Sequence, residues 1–205
     1  MNDYLKLEKI KIRHNFLKLR DMINPVLSAY YSDIIFSKIK KLSIYKNADI
    51  IMFYLSCGSE VFTDFAINLA FDDKKTVVVP AVKIHENISN MHAIRITNLK
   101  NAFKLVYGIR QPKISYKNIV NKNDINLFFI PAVVFDIYGY RIGYGKGCYD
   151  LWLKNVPPEK TIGIAYDFQV INKIPILNHD INVGTVVTNK RLIYVKNKDI
   201  IDERE

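Results

Sequence analysis

Between residues 138 and 150 the chain reads YGYRIGYGKGCYD, placing four of its eight glycines beside Arg141, Lys146 and Asp150. Gly143, Gly145 and Gly147 alternate, so backbone amides can turn inward without Cβ obstruction and form a concavity for an anion. Arg141 offers a planar fork of charged donors and Lys146 a point charge, the two side chains best suited to phosphate oxygens. Asp150 opens the segment that follows, where a carboxylate either holds a metal carried by phosphates or caps a helix. A polar connecting turn is the competing reading of the whole stretch. Two familiar nucleotide motifs fail on register. A Walker A loop needs Ser or Thr after its lysine, and here Gly147 and Cys148 follow. The dinucleotide fingerprint GxGxxG is not matched by GYGKGC, and no strand ending in a ribose-binding acid comes after it.

A loop of this kind works only when strands and helices hold it in place. The apolar run LFFIPAVVF (127–135) leads into it as a strand interrupted by Pro131, and YDLWLKNV (149–156) leaves it as a helix. Upstream, Ile12, Phe16, Leu19 and Ile23 recur at helical spacing, and Lys9, Arg13 and Arg20 form a basic stripe beside them. Asn24 and Pro25 end that helix and start the next, through residue 42, as N-cap and first residue. Buried strands are expected at 49–55, 76–80 and 161–166, a half-exposed strand at 91–96 and a last one at 185–195. Thr63 is expected to cap a helix over 64–73. Strands alternating with helices predict a three-layer α/β/α fold with a mostly parallel central sheet, as one domain over 1–195. Residues 196–205 read as a frayed tail.

Composition narrows the function classes. A chain of 205 residues with 49% hydrophobic and 24% charged residues is globular. Runs of 18 or so apolar residues are lacking and the N-terminus is charged throughout, so neither a membrane partner nor export is expected and a cytoplasmic location is. Cys57 and Cys148 show no metal-binding spacing and read as reduced thiols, and His179 reads as structural and hydrogen-bonded. The net charge of +10 favours anionic ligands. Basic and aromatic residues are not interleaved on any one segment, which argues against nucleic acid.

The phrase PAVVFDIYGYRIGYGKGCYD (131–150), followed by YDFQ (166–169) and IPILNHDINVGTVVT (174–188), resembles the signature of the 5-formyltetrahydrofolate cyclo-ligases, also called 5,10-methenyltetrahydrofolate synthetases. Lys9 and Arg13 match that family's basic pair, YLSCGSEVFT (54–63) its glutamate-bearing segment, and YGIRQP (107–112) a conserved-type turn. The resemblance implies closure of 5-formyltetrahydrofolate to 5,10-methenyltetrahydrofolate with ATP as co-substrate and Mg²⁺ as cofactor, on a monomer. It implies ATP contacts from Lys9, Arg13, Arg141, Ile142, Gly143, Tyr144, Gly145, Lys146, Gly147, Cys148 and Tyr149. Leu55, Glu60, Tyr144, Gly145, Lys146, Gly147 and Cys148 would bind the reduced folate, with or without a polyglutamate tail. Arg141, Lys146 and Tyr149 would serve the reaction itself, and Asp150 the metal. The chain departs from the family pattern twice, with Cys148 for a tyrosine and Gly184 for an aspartate that would be a second metal ligand. Asp180 and Asp167 are the candidates to replace it. These departures leave a second reading, a relative that binds nucleotide or folate with little or no turnover.

Overall fold

The computed structural model describes residues 2–85, 88–100, 103–106, 108–145, 147–195 and 200–204. Helix α1 (Asn2–Asp21) is followed by α2 (Pro25–Lys41), whose start is as expected: Val26 N donates to Asn24 Oδ1 at 2.8 Å and Pro25 takes the first helical position. Then come α3 (Ser43–Asn47), β1 (Ile50–Met52), α4 (Asp64–Asp72), β2 (Thr76–His85) and β3 (Ile88–Ile96). A hairpin of β4 (Phe103–Val106) and β5 (Ile109–Pro112) precedes β6 (Ile119–Val120) and β7 (Leu127–Pro131). The chain continues through β8 (Val134–Asp136), β9 (Arg141–Ile142), α5 (Cys148–Trp152), β10 (Thr161–Ile164) and β11 (Val170–Ile171). It finishes with β12 (Thr185–Val187), β13 (Arg191–Val195) and β14 (Ile200–Arg204).

The main sheet has the order β14-β13-β12-β10-β7-β1-β2-β3-β6. Its centre, from β12 to β2, is parallel, and the flanking strands are antiparallel. Alternation along the strands sends side chains to opposite faces. Val77, Val79 and Phe129 join Ile35, Phe36, Ile39 and Ile67 of α2 and α4 in one core. Val78, Phe128 and Ile130 join Phe135 and Leu153 in the other. That second face is covered by a small sheet, β11-β8-β9, together with the short α5.

Three expectations change in detail. The run 127–135 is not one strand: after Pro131 the chain leaves the main sheet, and β8 pairs with β9 and β11 instead. The helix expected at 149–156 is only Cys148–Trp152. The end of the chain is not all frayed, because Ile200–Arg204 pairs antiparallel with β13.

From β1 the chain crosses through α4 to β2 on one side, and from β7 through α5 to β10 on the other. The strand order therefore reverses between β1 and β7. Crevices outside the carboxyl ends of such strands are where open α/β sheets bind ligands.

Candidate functional site

Two loops lie on the connections that diverge at that reversal, one directly after β1 and one between β9 and α5. The first follows β1 and folds back on itself. Tyr54 Oη donates to Val61 O at 2.9 Å, and Ser56 N donates to Thr63 Oγ1 at 3.1 Å. Thr63 does stand ahead of α4, but its hydroxyl donates to Tyr54 O at 2.8 Å and makes no capping bond to the helix. It closes the loop instead. Arg110 of β5 pins the same loop from outside, forking onto both oxygens of Asp64 at 2.6 and 2.8 Å and reaching Ser56 O at 3.4 Å.

This folding turns Glu60 inward. Only 7% exposed, it accepts from Cys57 N at 2.9 Å, with the Tyr144 hydroxyl near enough to act on its charge. Burial raises the Glu60 pKa, and the Cys57 amide, the Arg20 charge and the Tyr144 hydroxyl oppose that rise without cancelling it. Leu55 is buried in the core beneath the loop.

The second loop is the glycine-rich one. Its approach is set by Asp136, whose buried carboxylate accepts from Tyr138 N, Tyr140 N and Ile174 N at 3.0, 2.9 and 3.2 Å. Ile142 is buried against Ile12, Phe16 and Leu17 of α1, so its side chain supplies packing. Arg13 Nε donates to Gly143 O at 2.6 Å. Gly145 has φ +101°, and a Cβ there would lie 3.4 Å from the Arg13 guanidinium carbon, so the loop meets α1 where only glycine is relaxed. Tyr144 leaves its ring half-exposed while its hydroxyl reaches Glu60 and Arg20. Desolvation and the Glu60 charge push that phenol up to about 12. Tyr149, partly buried over the second core, is raised mainly by burial and then by Glu60. Cys148 packs beside it. Lys146 lies outside the described residues, as does Tyr107.

The basic face of α1 is almost wholly engaged. Lys9, 8% exposed, pairs with Asp180, whose Oδ2 also accepts from Leu177 N at 2.6 Å. Arg20, 3% exposed, donates to Ser59 Oγ at 3.0 Å and to the Tyr144 hydroxyl at 2.5 Å. Spacing placed Arg20 on this stripe without giving it a role; its contacts are the signal that sequence reading missed.

Arg141 is buried, and it donates to Asp150 Oδ1 at 2.8 Å and to Ile181 O at 2.9 Å. Burial lowers the Arg141 pKa, and Asp150 works against that. Ile181 N also donates to Asp150 Oδ1, at 3.3 Å, while Asp150 Oδ2 has no hydrogen-bond partner among the described residues. Asp150 is therefore held through Oδ1.

The aspartate position is closed. A Cβ on Gly184 would run into the Pro158 carbonyl and come within 3.0 Å of Glu159 Cα. Asp180 pairs with Lys9, and Asp167 accepts from Arg191 Nε at 2.6 Å and Thr188 Oγ1 at 2.8 Å, so each already serves the fold through one oxygen. Among the described residues no three His, Cys, Asp or Glu gather as a metal cage. His179, expected as a hydrogen-bonded structural residue, is exposed. Gly184→Asp is expected to lower stability by about 3 kcal/mol through overpacking, read as an earlier denaturant midpoint.

Residues 6–189 match the sequence model of the 5-formyltetrahydrofolate cyclo-ligase family. The chain is 28% identical over 194 residues to a probable 5-formyltetrahydrofolate cyclo-ligase of Caenorhabditis elegans, covering 89% of this chain and 93% of the relative. It is 29% identical over 153 residues to the 5-formyltetrahydrofolate cyclo-ligase of Mus musculus, covering 70% and 74%. The 5,10-methenyltetrahydrofolate synthetase of Aquifex aeolicus superposes with a TM-score of 0.79 at 26% identity, covering 95% of this chain and 96% of that one. Both the sequence from α1 to Asn189 and the sheet that carries the two loops are thus shared with these enzymes, and the chain belongs to the 5-formyltetrahydrofolate cyclo-ligase family.

Proposed function

We propose that the chain cyclises 5-formyltetrahydrofolate to 5,10-methenyltetrahydrofolate at the expense of ATP, releasing ADP and phosphate. One observation supports this above the others. The loop that carries the buried Glu60 and the glycine loop are joined through Arg20, which bonds Ser59 of one and Tyr144 of the other, at the reversal of strand order. A carboxylate suits the adjacent N–H donors on a pterin edge, and the glycine loop suits phosphates, so the two substrates would converge there.

The chemistry asks mainly for positioning and charge neutralisation. The formyl oxygen attacks the γ-phosphorus, and the bond to the ADP oxygen breaks. The resulting N5-iminium phosphate is attacked at its carbon by N10, which loses its proton. Phosphate then leaves with the former formyl oxygen, a far better leaving group than oxide. Glu60 would orient the pterin, with Leu55 beneath it and Tyr149 beside it. Arg13 and the amides around Gly143, Gly145 and Gly147 would cradle ATP, with Lys9, Lys146 and Arg141 supplying positive charge around it.

Asp150 fits a magnesium ion borne by the nucleotide, because Arg141 and Ile181 fix one oxygen and no described residue bonds the other. Magnesium is held by one or two carboxylates plus phosphates and waters, and it would supply neutralisation of phosphate charge.

Formyl-¹⁸O substrate tests the reading. The label is expected in inorganic phosphate, and label released as water would overturn phosphorylation of the formyl oxygen. Gly145→Ala is expected to weaken nucleotide binding and to lower stability by about 1–3 kcal/mol, from a strained φ and contact with Arg13. Calorimetric titration with ATP and a denaturant melt read the two effects separately.

A further inference from the structure

Arg20 touches neither substrate in the scheme above, yet it is the most thoroughly bound cation of α1. It is 3% exposed and its three nitrogens reach three different segments. Nε donates to Ser59 Oγ at 3.0 Å, in the loop after β1. One terminal nitrogen lies 3.5 Å from Ala132 O, where the chain leaves β7. The other donates to the Tyr144 hydroxyl at 2.5 Å, and the guanidinium carbon lies 5.5 Å from the centre of that ring. Ser59 in turn donates to Asp21 Oδ1 at 2.5 Å, tying the loop to the end of the same helix. The Tyr144 hydroxyl accepts from Arg20 and lies near Glu60, so Arg20 links α1 to the glycine loop beside the buried carboxylate.

We propose that Arg20 is a positioning residue for the cyclisation, locking the Glu60 loop and the glycine loop in one register so that formyl oxygen and γ-phosphate meet. The proposal rests on reading those two loops as the folate and nucleotide sides. A planar fork can hold three acceptors in fixed directions, which a lysine cannot. Arg20 from α1, the Cys57 amide and the Tyr144 hydroxyl of the glycine loop act on Glu60, whose charge in turn raises Tyr54 after β1, Tyr149 of α5 and Tyr166 after β10. Arg20 is the cation among them. Burial raises the Glu60 pKa and Arg20 lowers it, so loss of Arg20 moves ionisation of Glu60 to higher pH.

The test measures kcat, both KM values and the pH profile of kcat/KM for the folate. Arg20→Lys keeps a cation but loses the fork: kcat is expected to fall about 100-fold with the acid limb near its original place. Arg20→Gln loses both, so the same fall is accompanied by an acid limb displaced to higher pH. A residue that merely stabilised the fold would lower the amount of active enzyme and leave the limb where it was. Tyr144→Phe removes one hydroxyl from a half-exposed side chain and carries the test should the Arg20 variants not fold. It is expected to reduce kcat and to raise the acid limb, and in combination with Arg20→Lys to cost less than the sum of the two. Glu60→Gln separates the failures. If it leaves the folate parameters unchanged, the assignment of Glu60 falls and the proposal with it. If it impairs them while folded Arg20→Gln, or Tyr144→Phe, keeps both kcat and the acid limb, the role of Arg20 alone is overturned.

Discussion

Replacing Glu60 by glutamine is expected to cut kcat/KM for 5-formyltetrahydrofolate by about 10–100-fold, the worth of one or two hydrogen bonds to a charged group. The fold should not suffer in proportion. Glu60 is 7% exposed, and burial raises its pKa despite the Cys57 amide, Arg20 and Tyr144. A carboxyl whose folded pKa lies above its unfolded value favours the fold when neutral. Its ionisation therefore costs stability as pH rises through the folded pKa, and that cost is absent below the unfolded one. Glutamine removes the cost. Glu60→Gln should be as stable as the parent chain at acid pH and relatively more stable as pH rises, while its activity stays low throughout. Thermal melts across pH, beside steady-state kinetics, check both halves; a variant that lost stability at neutral pH together with activity would mark Glu60 as structural.

Arg141→Ala is expected to behave in the opposite way, losing about 3–5 kcal/mol of stability because a buried pair is broken from one side. For a chain of this length that is a fall of roughly 6–20 °C in Tm. The alanine would leave Asp150 Oδ1 and Ile181 O without their Arg141 donor, in a place where the Arg141 side chain is only 2% exposed. Asp150→Asn keeps the shape and an acceptor for Arg141 and gives up the charge. Arg141 then lacks its counter-charge in a buried place, so this variant should also melt earlier, by less than Arg141→Ala because the hydrogen bond is kept, while demanding more Mg²⁺ for turnover. Differential scanning calorimetry and a magnesium titration of the rate distinguish the two variants. Equal melting losses for both would mean that Asp150 matters to the fold alone.

Much of this architecture was legible because local chemistry agreed with the final fold. Asn24-Pro25 starts α2 through a side-chain cap and a fixed φ, both local effects. The apolar runs at β1, β2, β7 and β10 were long enough to mark strands buried on both faces. The hairpin of β4 and β5 was not legible as strands, since its residues alternate weakly and Lys104, Leu105 and Ile109 are exposed. The break after Pro131 could be seen as an interruption, though not that β8 would leave for another sheet. The candidate site divides the same way. Alternating glycines and the stripe of Lys9, Arg13 and Arg20 were visible as spacing. Their partners were not, because Lys9 meets Asp180 at 171 residues' separation and Arg20 meets Tyr144 at 124. Gly184, which by sequence looked like a lost metal ligand, is a packing requirement set by Pro158, far away in the chain.

One reaction tests the central claim most directly: the purified chain with 5-formyltetrahydrofolate, ATP and Mg²⁺, followed by methenyl-folate absorbance and by ADP release together. Equal amounts of methenyl product and ADP are expected, with neither formed when ATP or the folate is omitted. Folded protein that binds ATP yet forms no methenyl product, or forms it without releasing ADP, would contradict the account.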